Sequence, residues 1–167
     1  MPLSHPIISA ILIKKIDETT HIFLQERWKK NSPKYSGLLE IPAGAIDEFE
    51  NVYDALRREV KEECGLEIVR VVDDYQSEKY GNTPEDSFFA FKPFVCQQAL
   101  KNADGWPWIG FVFLCEVKGE VKMNESEARN PRWVSMADLM EILNKKSETI
   151  FPLQTQALRY FVENFKE

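Results

Sequence analysis

Three glutamates near the middle of the chain are spaced so that a helix would place their side chains on one face. Glu59, Glu62 and Glu63 stand at positions i, i+3 and i+4, which are neighbours on a helical surface. Three converging carboxylates repel one another at neutral pH, and they offer the oxygen ligands that Mg²⁺ or Mn²⁺ prefers. Arg58 precedes them with a planar fork of donors that suits a carboxylate better than lysine does. The pattern predicts a site for a divalent cation.

A helix must position these carboxylates, and its ends are visible in the sequence. Asn51 is a typical N-cap residue, and Gly65 is typical of the residue that follows a helix. At ~100° per residue, Glu59 and Glu63 fall within the apolar stripe of this helix, and Glu62 falls at its edge. Burying carboxylates is costly unless cations offset their charge. The wheel alone leaves two interpretations open, a metal site or a helix end that emerges into solvent.

Hydrophobic periodicity and turn residues predict the elements around this helix. Strands are expected at residues 7–16, 21–27, 38–41, 66–72, 87–96, 109–117 and 132–134. Helices are expected at residues 51–64, 136–144 and 153–165. The almost continuously apolar run 109–117 indicates a strand buried on both faces. This order of elements suits a mixed sheet with helices packed on both faces.

The residues that flank the acidic helix decide between the two interpretations. From Gly44 to Leu66 the chain matches the pattern G-x5-E-x7-R-E-U-x-E-E-x-G-U, where U is aliphatic, at every defined position. This pattern is the Nudix box, and the chain therefore resembles the Nudix hydrolase family. The resemblance implies an α/β/α sandwich with a mixed β-sheet, in which the box forms a catalytic loop–helix–loop. It also implies metal-dependent hydrolysis of a nucleoside diphosphate linked to another group.

The resemblance also implies roles for individual residues. Family members bind Mg²⁺ or Mn²⁺ through the glutamates after the arginine and through the carbonyl before the first glycine, positions that correspond here to Glu59, Glu62, Glu63 and Ala43. The remaining invariant positions organise the loop and the helix, and they are Gly44, Glu50, Arg58 and Gly65. We count Arg58 and Glu59 among the catalytic residues. The general base is either Glu59 or a glutamate on a later loop, where Glu127 is favoured over Glu125.

Three further residues are candidates for contacts with a nucleotide. Trp28 and Trp106 carry rings that stack well on a nucleobase, and Arg27 stands at a predicted strand end where it could reach a phosphate. Each has an ordinary alternative, which is core or dimer packing for the tryptophans and a surface ion pair for Arg27.

The class of substrate is less sharply indicated. The entry to the box, Glu40-Ile-Pro-Ala-Gly44, resembles that of ADP-ribose and nucleoside-diphosphate-sugar hydrolases. Neither the pattern of NADH-directed members nor that of coenzyme A-directed members is present. Two alternatives remain, a nucleotide-sensing domain that binds without hydrolysis and a nucleoside triphosphate pyrophosphatase.

Bulk properties limit the remaining possibilities. A length of 167 residues suits a single domain over residues 1–167. A net charge of −6 argues against binding nucleic acid through its phosphates. Three cysteines without CxxC spacing, Cys64, Cys96 and Cys115, suggest free thiols, and no apolar run is long enough to span a bilayer. We expect a cytoplasmic protein that acts on a small nucleotide without nucleic-acid or membrane partners, and a homodimer is a possible assembly.

Overall fold

A computed structural model describes residues 4–75 and 85–166 of the chain. The strands in these segments are β1 (His5–Ile16), β2 (Thr19–Arg27), β3 (Leu39–Glu40), β4 (Ala43–Ala45), β5 (Glu67–Val71), β6 (Val95–Ala99), β7 (Trp108–Lys118) and β8 (Ala128–Ser135). The α-helices are α1 (Val52–Cys64), α2 (Met136–Lys145) and α3 (Thr155–Asn164). Two 3-10 turns lie at Pro33–Tyr35 and Ser147–Thr149.

Strand β1 lies at the centre of the sheet. One edge of β1 pairs in parallel with β7, with Ile11 opposite Leu114. The other edge is divided between two antiparallel partners, because β4 pairs with the start of β1 and β2 pairs with its end. Strand β2 also pairs with β3 and β8, and β7 also pairs with β5 and β6. The sheet is therefore mixed, as the order of elements predicted.

Side chains of β1 alternate between two hydrophobic clusters. Ile8, Ala10 and Leu12 pack with residues of α1, whereas Ile11 and Ile13 pack with residues of α2 and α3. The central residues of β7 are buried in both clusters in the same alternating way. Helices thus cover both faces of the sheet, which confirms the three-layer α/β/α architecture and the prediction of a doubly buried strand.

One strand was misplaced by the sequence analysis and another was missed. No strand runs over residues 87–96; β6 begins at Val95 instead, after Pro93, which lacks the N–H that a sheet ladder needs. The rings of Phe89 and Phe91 pack around Tyr53 rather than alternating along a strand. Strand β4 was missed because it has only three residues and follows Pro42 directly.

Cys64, Cys96 and Cys115 are free, as predicted, and Cys64 and Cys115 are buried. In the parts of the chain that the structure describes, no helix has the length and apolar character required to cross a bilayer.

Candidate active site

Helix α1 begins and ends where the sequence predicted. The side chain of Asn51 accepts a hydrogen bond from the Tyr53 N–H at 2.9 Å, and Gly65 is left-handed with φ 75°. Glu59 and Glu63 lie on the face of this helix that packs against the sheet, and their exposed fractions are 9% and 0%. The stripe prediction is confirmed, and the interpretation of a solvated helix end is wrong for these two residues.

Arg58 connects three acidic residues, which are Glu50, Glu59 and Glu62. Its Nε and Nη2 donate to both carboxylate oxygens of Glu50 at 2.8 and 2.7 Å. Its Nη1 donates to Glu59 Oε1 at 2.6 Å and lies 3.6 Å from Glu62 Oε2. A further bond from Nη2 reaches the Ala45 carbonyl at 3.1 Å. The Arg58 hydrogen bonds lower the pKa of Glu50 from 4.5 to about 2, so Glu50 stays ionised.

Lys29 holds the inner carboxylate, and the sequence analysis did not identify it. Its Nζ donates to Glu63 Oε1 at 2.6 Å and to the Ala43 carbonyl at 3.0 Å. Nζ also lies 3.5 Å from Glu127 Oε2. Burial lowers the pKa of Lys29, but the attraction of Glu63 and Glu40 outweighs this effect and the pKa is raised. Lys29 is therefore a charged ammonium inside the site.

Gln25 is a second site residue that the sequence analysis missed. It is buried in β2, and its Nε2 donates to Glu63 Oε2 at 2.7 Å. The signal was a glutamine within the apolar run Ile22-Phe-Leu-Gln25, at a position where a stable strand would carry an apolar residue. Burial raises the pKa of Glu63, and the bonds from Lys29 and Gln25 oppose that shift.

The three box glutamates have different cationic partners. Within residues 4–75 and 85–166, no group of three His, Cys, Asp or Glu side chains is arranged to hold a metal ion. Arg58 bonds Glu59 and lies 3.6 Å from Glu62, whereas Lys29 and Gln25 bond Glu63. Burial raises the pKa of Glu59, the Arg58 hydrogen bond lowers it, and the neighbouring Glu63 charge raises it again, so the net shift is upward.

The donor set nevertheless fits a hard divalent cation. Every ligand that the resemblance implies is a carboxylate or carbonyl oxygen, which is the chemistry that Mg²⁺ and Mn²⁺ select. The ammonium of Lys29 donates hydrogen bonds to two of these groups, the Ala43 carbonyl and the Glu63 carboxylate. These two oxygens therefore already attract a positive charge.

The later-loop candidates are separated by their position. Glu127 lies at the site, where it faces Lys29 and accepts a hydrogen bond from Asn124 Nδ2 at 3.1 Å. The backbone explains this placement, because the Trp28 N–H donates to the Glu127 carbonyl at 2.7 Å and so continues the β2–β8 ladder. The side chain of Glu125 is exposed to solvent.

An open cavity of about 330 Å³ adjoins the box. Its lining includes Arg27, Lys29, Ala43, Gly44, Gln97 and Trp106. Trp106 is 60% exposed and its ring centroid lies 5.1 Å from that of His5. Arg27 also donates to the buried Glu40 at 2.8 Å. Trp28 is absent from the lining, and the guanidinium of Arg129 lies 4.1 Å from its ring centroid.

The NUDIX domain model matches residues 5–154, a span that contains the box, the cavity and the sheet. The chain belongs to the Nudix hydrolase family. This Nudix chain is 26% identical over 115 residues to the NAD-capped RNA hydrolase NUDT12 of Homo sapiens, and the match covers 69% of this chain and 20% of that protein. The chain therefore matches only about a fifth of the length of this curated relative.

Solved structures share the Nudix fold over nearly the whole chain. The MutT NUDIX hydrolase from Burkholderia pseudomallei has a TM-score of 0.65 and 20% identity, covering 98% of this chain and 99% of that chain. The NUDIX domain of Shewanella oneidensis NrtR, solved with ADP ribose, has a TM-score of 0.69 and 13% identity, covering 99% and 91%. At these identities the likeness establishes the fold alone.

Proposed function

We propose that this Nudix protein is a metal-dependent pyrophosphohydrolase that cleaves a nucleoside diphosphate linked to another moiety, with ADP-ribose or a nucleoside-diphosphate sugar as the substrate class. The observation that carries the proposal is the pair of buried carboxylates, Glu59 and Glu63, beside an open cavity. A fold selected only for stability would not bury two carboxylates there, because their desolvation is costly.

The metal ligands proposed are Glu59, Glu62, Glu63 and the carbonyl of Ala43. A bound Mg²⁺ or Mn²⁺ supplies charge neutralisation of the phosphate oxygens and activates water. Arg58 orients Glu59 and Glu50 through the hydrogen bonds described above, and Gly44 and Gly65 shape the loop and the helix end. The proton of the attacking water passes to a carboxylate oxygen of Glu59 or Glu127, both of which lie at the site.

The substrate contacts proposed follow the cavity lining. The exposed ring of Trp106 suits stacking against a nucleobase. Arg27 lines the same cavity, where it could contact a phosphate, and it also forms an ion pair with Glu40. ADP ribose is the ligand in the NrtR structure, which supports including ADP-ribose in the class. Trp28 has the weaker geometric support, since it lies outside the cavity lining.

Two alternative functions would use the same site. A nucleotide-sensing domain would bind the nucleotide in the cavity beside the box and leave it uncleaved. A nucleoside triphosphate pyrophosphatase would use the same box. One relative is an NAD-capped RNA hydrolase. NAD-capped RNA is therefore a further substrate to test.

The test is phosphate release from a substrate panel, with a coupled phosphatase, in Mg²⁺ and in Mn²⁺. The panel comprises ADP-ribose, nucleoside-diphosphate sugars, dinucleotides, NAD-capped RNA and nucleoside triphosphates. Release from one class that EDTA abolishes, and that Glu59→Gln with Glu63→Gln also abolishes, supports the proposal and names the substrate. No release, combined with nucleotide binding in calorimetry, replaces the hydrolase with the sensing domain.

A further inference from the structure

We propose that the ammonium group of Lys29 competes with a divalent metal ion for the carboxylate of Glu63. The inference goes beyond the proposed function, although it rests on it in one respect, that the box carboxylates bind divalent ions. Its consequence is that the side chain of Lys29 sets the affinity of the site for metal and the number of ions it holds.

The position of the ammonium carries this inference. Three oxygens from separate segments surround Lys29 Nζ, and they come from Glu63 at 2.6 Å, Ala43 at 3.0 Å and Glu127 at 3.5 Å. Two of these groups are proposed metal ligands, and the third is the candidate base. A hydrated surface lysine does not collect a backbone carbonyl and two carboxylates. This arrangement is what an internal cation site requires.

The residues around the Lys29 ammonium are placed by contacts between distant segments of the chain. Lys29 follows the end of β2, and Trp28 extends the β2–β8 ladder to the backbone of Glu127. Ala43 opens β4 on the edge of β1, and Glu63 is wholly buried in α1. The three oxygen donors therefore come from helix α1, strand β4 and the turn that precedes β8.

Competition follows from distance and charge. Mg²⁺ binds its oxygen ligands at about 2.0–2.1 Å, so an ion bound to Glu63 and Ala43 would occupy nearly the same point as Nζ. An ammonium and a divalent cation exclude each other there, both sterically and by charge repulsion. Lys29 must therefore leave this point before a divalent ion binds, or the ion binds elsewhere in the box.

The two cationic side chains of the site are not equivalent. Arg58 lies on the outer side of α1, where it bonds Glu50 and contacts Glu59 and Glu62. Lys29 alone, within the described residues, pairs with Glu63. Removing Lys29 frees the inner oxygens without disturbing the Arg58 network, which makes a Lys29 variant a specific probe.

Titration of Mn²⁺ alone, without nucleotide, tests the inference. Isothermal calorimetry and the electron paramagnetic resonance of free Mn²⁺ would compare the wild type with Lys29→Met. Lys30→Met is the matched control, because Lys30 is the exposed neighbour. We expect Lys29→Met to bind Mn²⁺ at least about tenfold more tightly, or to bind one additional ion, and Lys30→Met to match the wild type.

A second measurement protects the test against misfolding of the variant. Lys29→Met leaves Glu63 without its cation, so we expect a lower melting temperature in EDTA and a larger gain on adding Mn²⁺ than the wild type shows. If Lys29→Met does not fold in EDTA, Lys29→Gln keeps an N–H donor for Glu63 and removes the charge. Unchanged or weaker Mn²⁺ binding by the folded variant, relative to the wild type, would overturn the inference.

The outcome is separable from that of the proposed function. An active wild type whose Mn²⁺ binding is not improved by Lys29→Met overturns this inference and leaves the hydrolase proposal intact. A wild type inactive on the whole panel, together with tighter Mn²⁺ binding by Lys29→Met, overturns the hydrolase proposal and supports the competing cation.

Discussion

Gly44 and Glu59 are in such close contact that no side chain fits between them. A Cβ placed on Gly44 would lie 1.9 Å from Glu59 Cδ and 2.1 Å from Glu59 Oε1. Position 44 therefore requires glycine, because a larger residue would overlap the Glu59 carboxylate, which is proposed to bind the metal. This contact connects strand β4 to helix α1 across the site.

Gly44→Ala is expected to lower turnover by about 10–100-fold, the range for residues that orient metal ligands. The stability loss should stay small, because the clash meets the mobile end of a side chain and Glu59 can rotate away. Activity assays and chemical denaturation measure the two effects. In a double-mutant cycle with Glu59→Gln, the second substitution should add little; additive losses would mean that Gly44 acts independently of Glu59.

Glu63→Gln is expected to lower turnover at least about 100-fold, above the usual effect of outer-shell partners. From the sequence alone, relief of carboxylate repulsion would leave the fold unaffected. The structure changes that expectation, because Lys29 already pairs with Glu63 at 2.6 Å. Losing the carboxylate should cost about 1–3 kcal/mol of unfolding free energy. Near wild-type turnover would remove Glu63 from the proposed ligands.

Arg58→Lys is expected to lower turnover about 10–100-fold and to reduce the melting temperature. Lysine cannot reproduce the paired bonds from Nε and Nη2 to Glu50 while also bonding Glu59. Arg57→Lys is the control, since Arg57 is its neighbour on α1 and contacts Tyr53 and Asp54 instead. Equal effects of the two substitutions would contradict a special organising role for Arg58.

The ion pair between Glu50 and Arg58 should make acid stability depend on Glu50. The pKa of Glu50 is lowered from 4.5 to about 2, so its contribution is complete above pH 4.5 and disappears as the pH falls towards 2. The difference in unfolding free energy between the wild type and Glu50→Gln should therefore shrink over this interval. Urea denaturation at several pH values in EDTA measures it, and a constant difference would refute the assignment.

Millimolar Mg²⁺ or Mn²⁺ is expected to raise the melting temperature of the wild type. An ion that binds only the native state at about 100 times its Kd stabilises it by about 2.7 kcal/mol. Differential scanning fluorimetry with and without EDTA measures the shift, and Glu59→Gln combined with Glu63→Gln should abolish it. A wild type that shows no shift with either ion would contradict the proposed metal site.

Local patterns in the sequence determined the framework of the site. The spacing from Gly44 to Leu66 identified the family, and Asn51 and Gly65 marked the ends of α1. The helical period placed Glu59 and Glu63 on the buried face. These features are local, because capping and helical period depend on residues within a few positions of one another.

Only the tertiary structure decided that Lys29 is the cation that pairs with Glu63. Lys29 and Glu63 are separated by 34 residues, and no spacing rule joins a lysine after one strand to a glutamate on a later helix. The position of Glu127 likewise depends on the β2–β8 ladder, next to which its carboxylate lies 3.5 Å from Lys29 Nζ. Contacts between distant segments depend on which strands pair in the sheet. The hydrophobic periodicity of a single helix or strand does not determine that pairing.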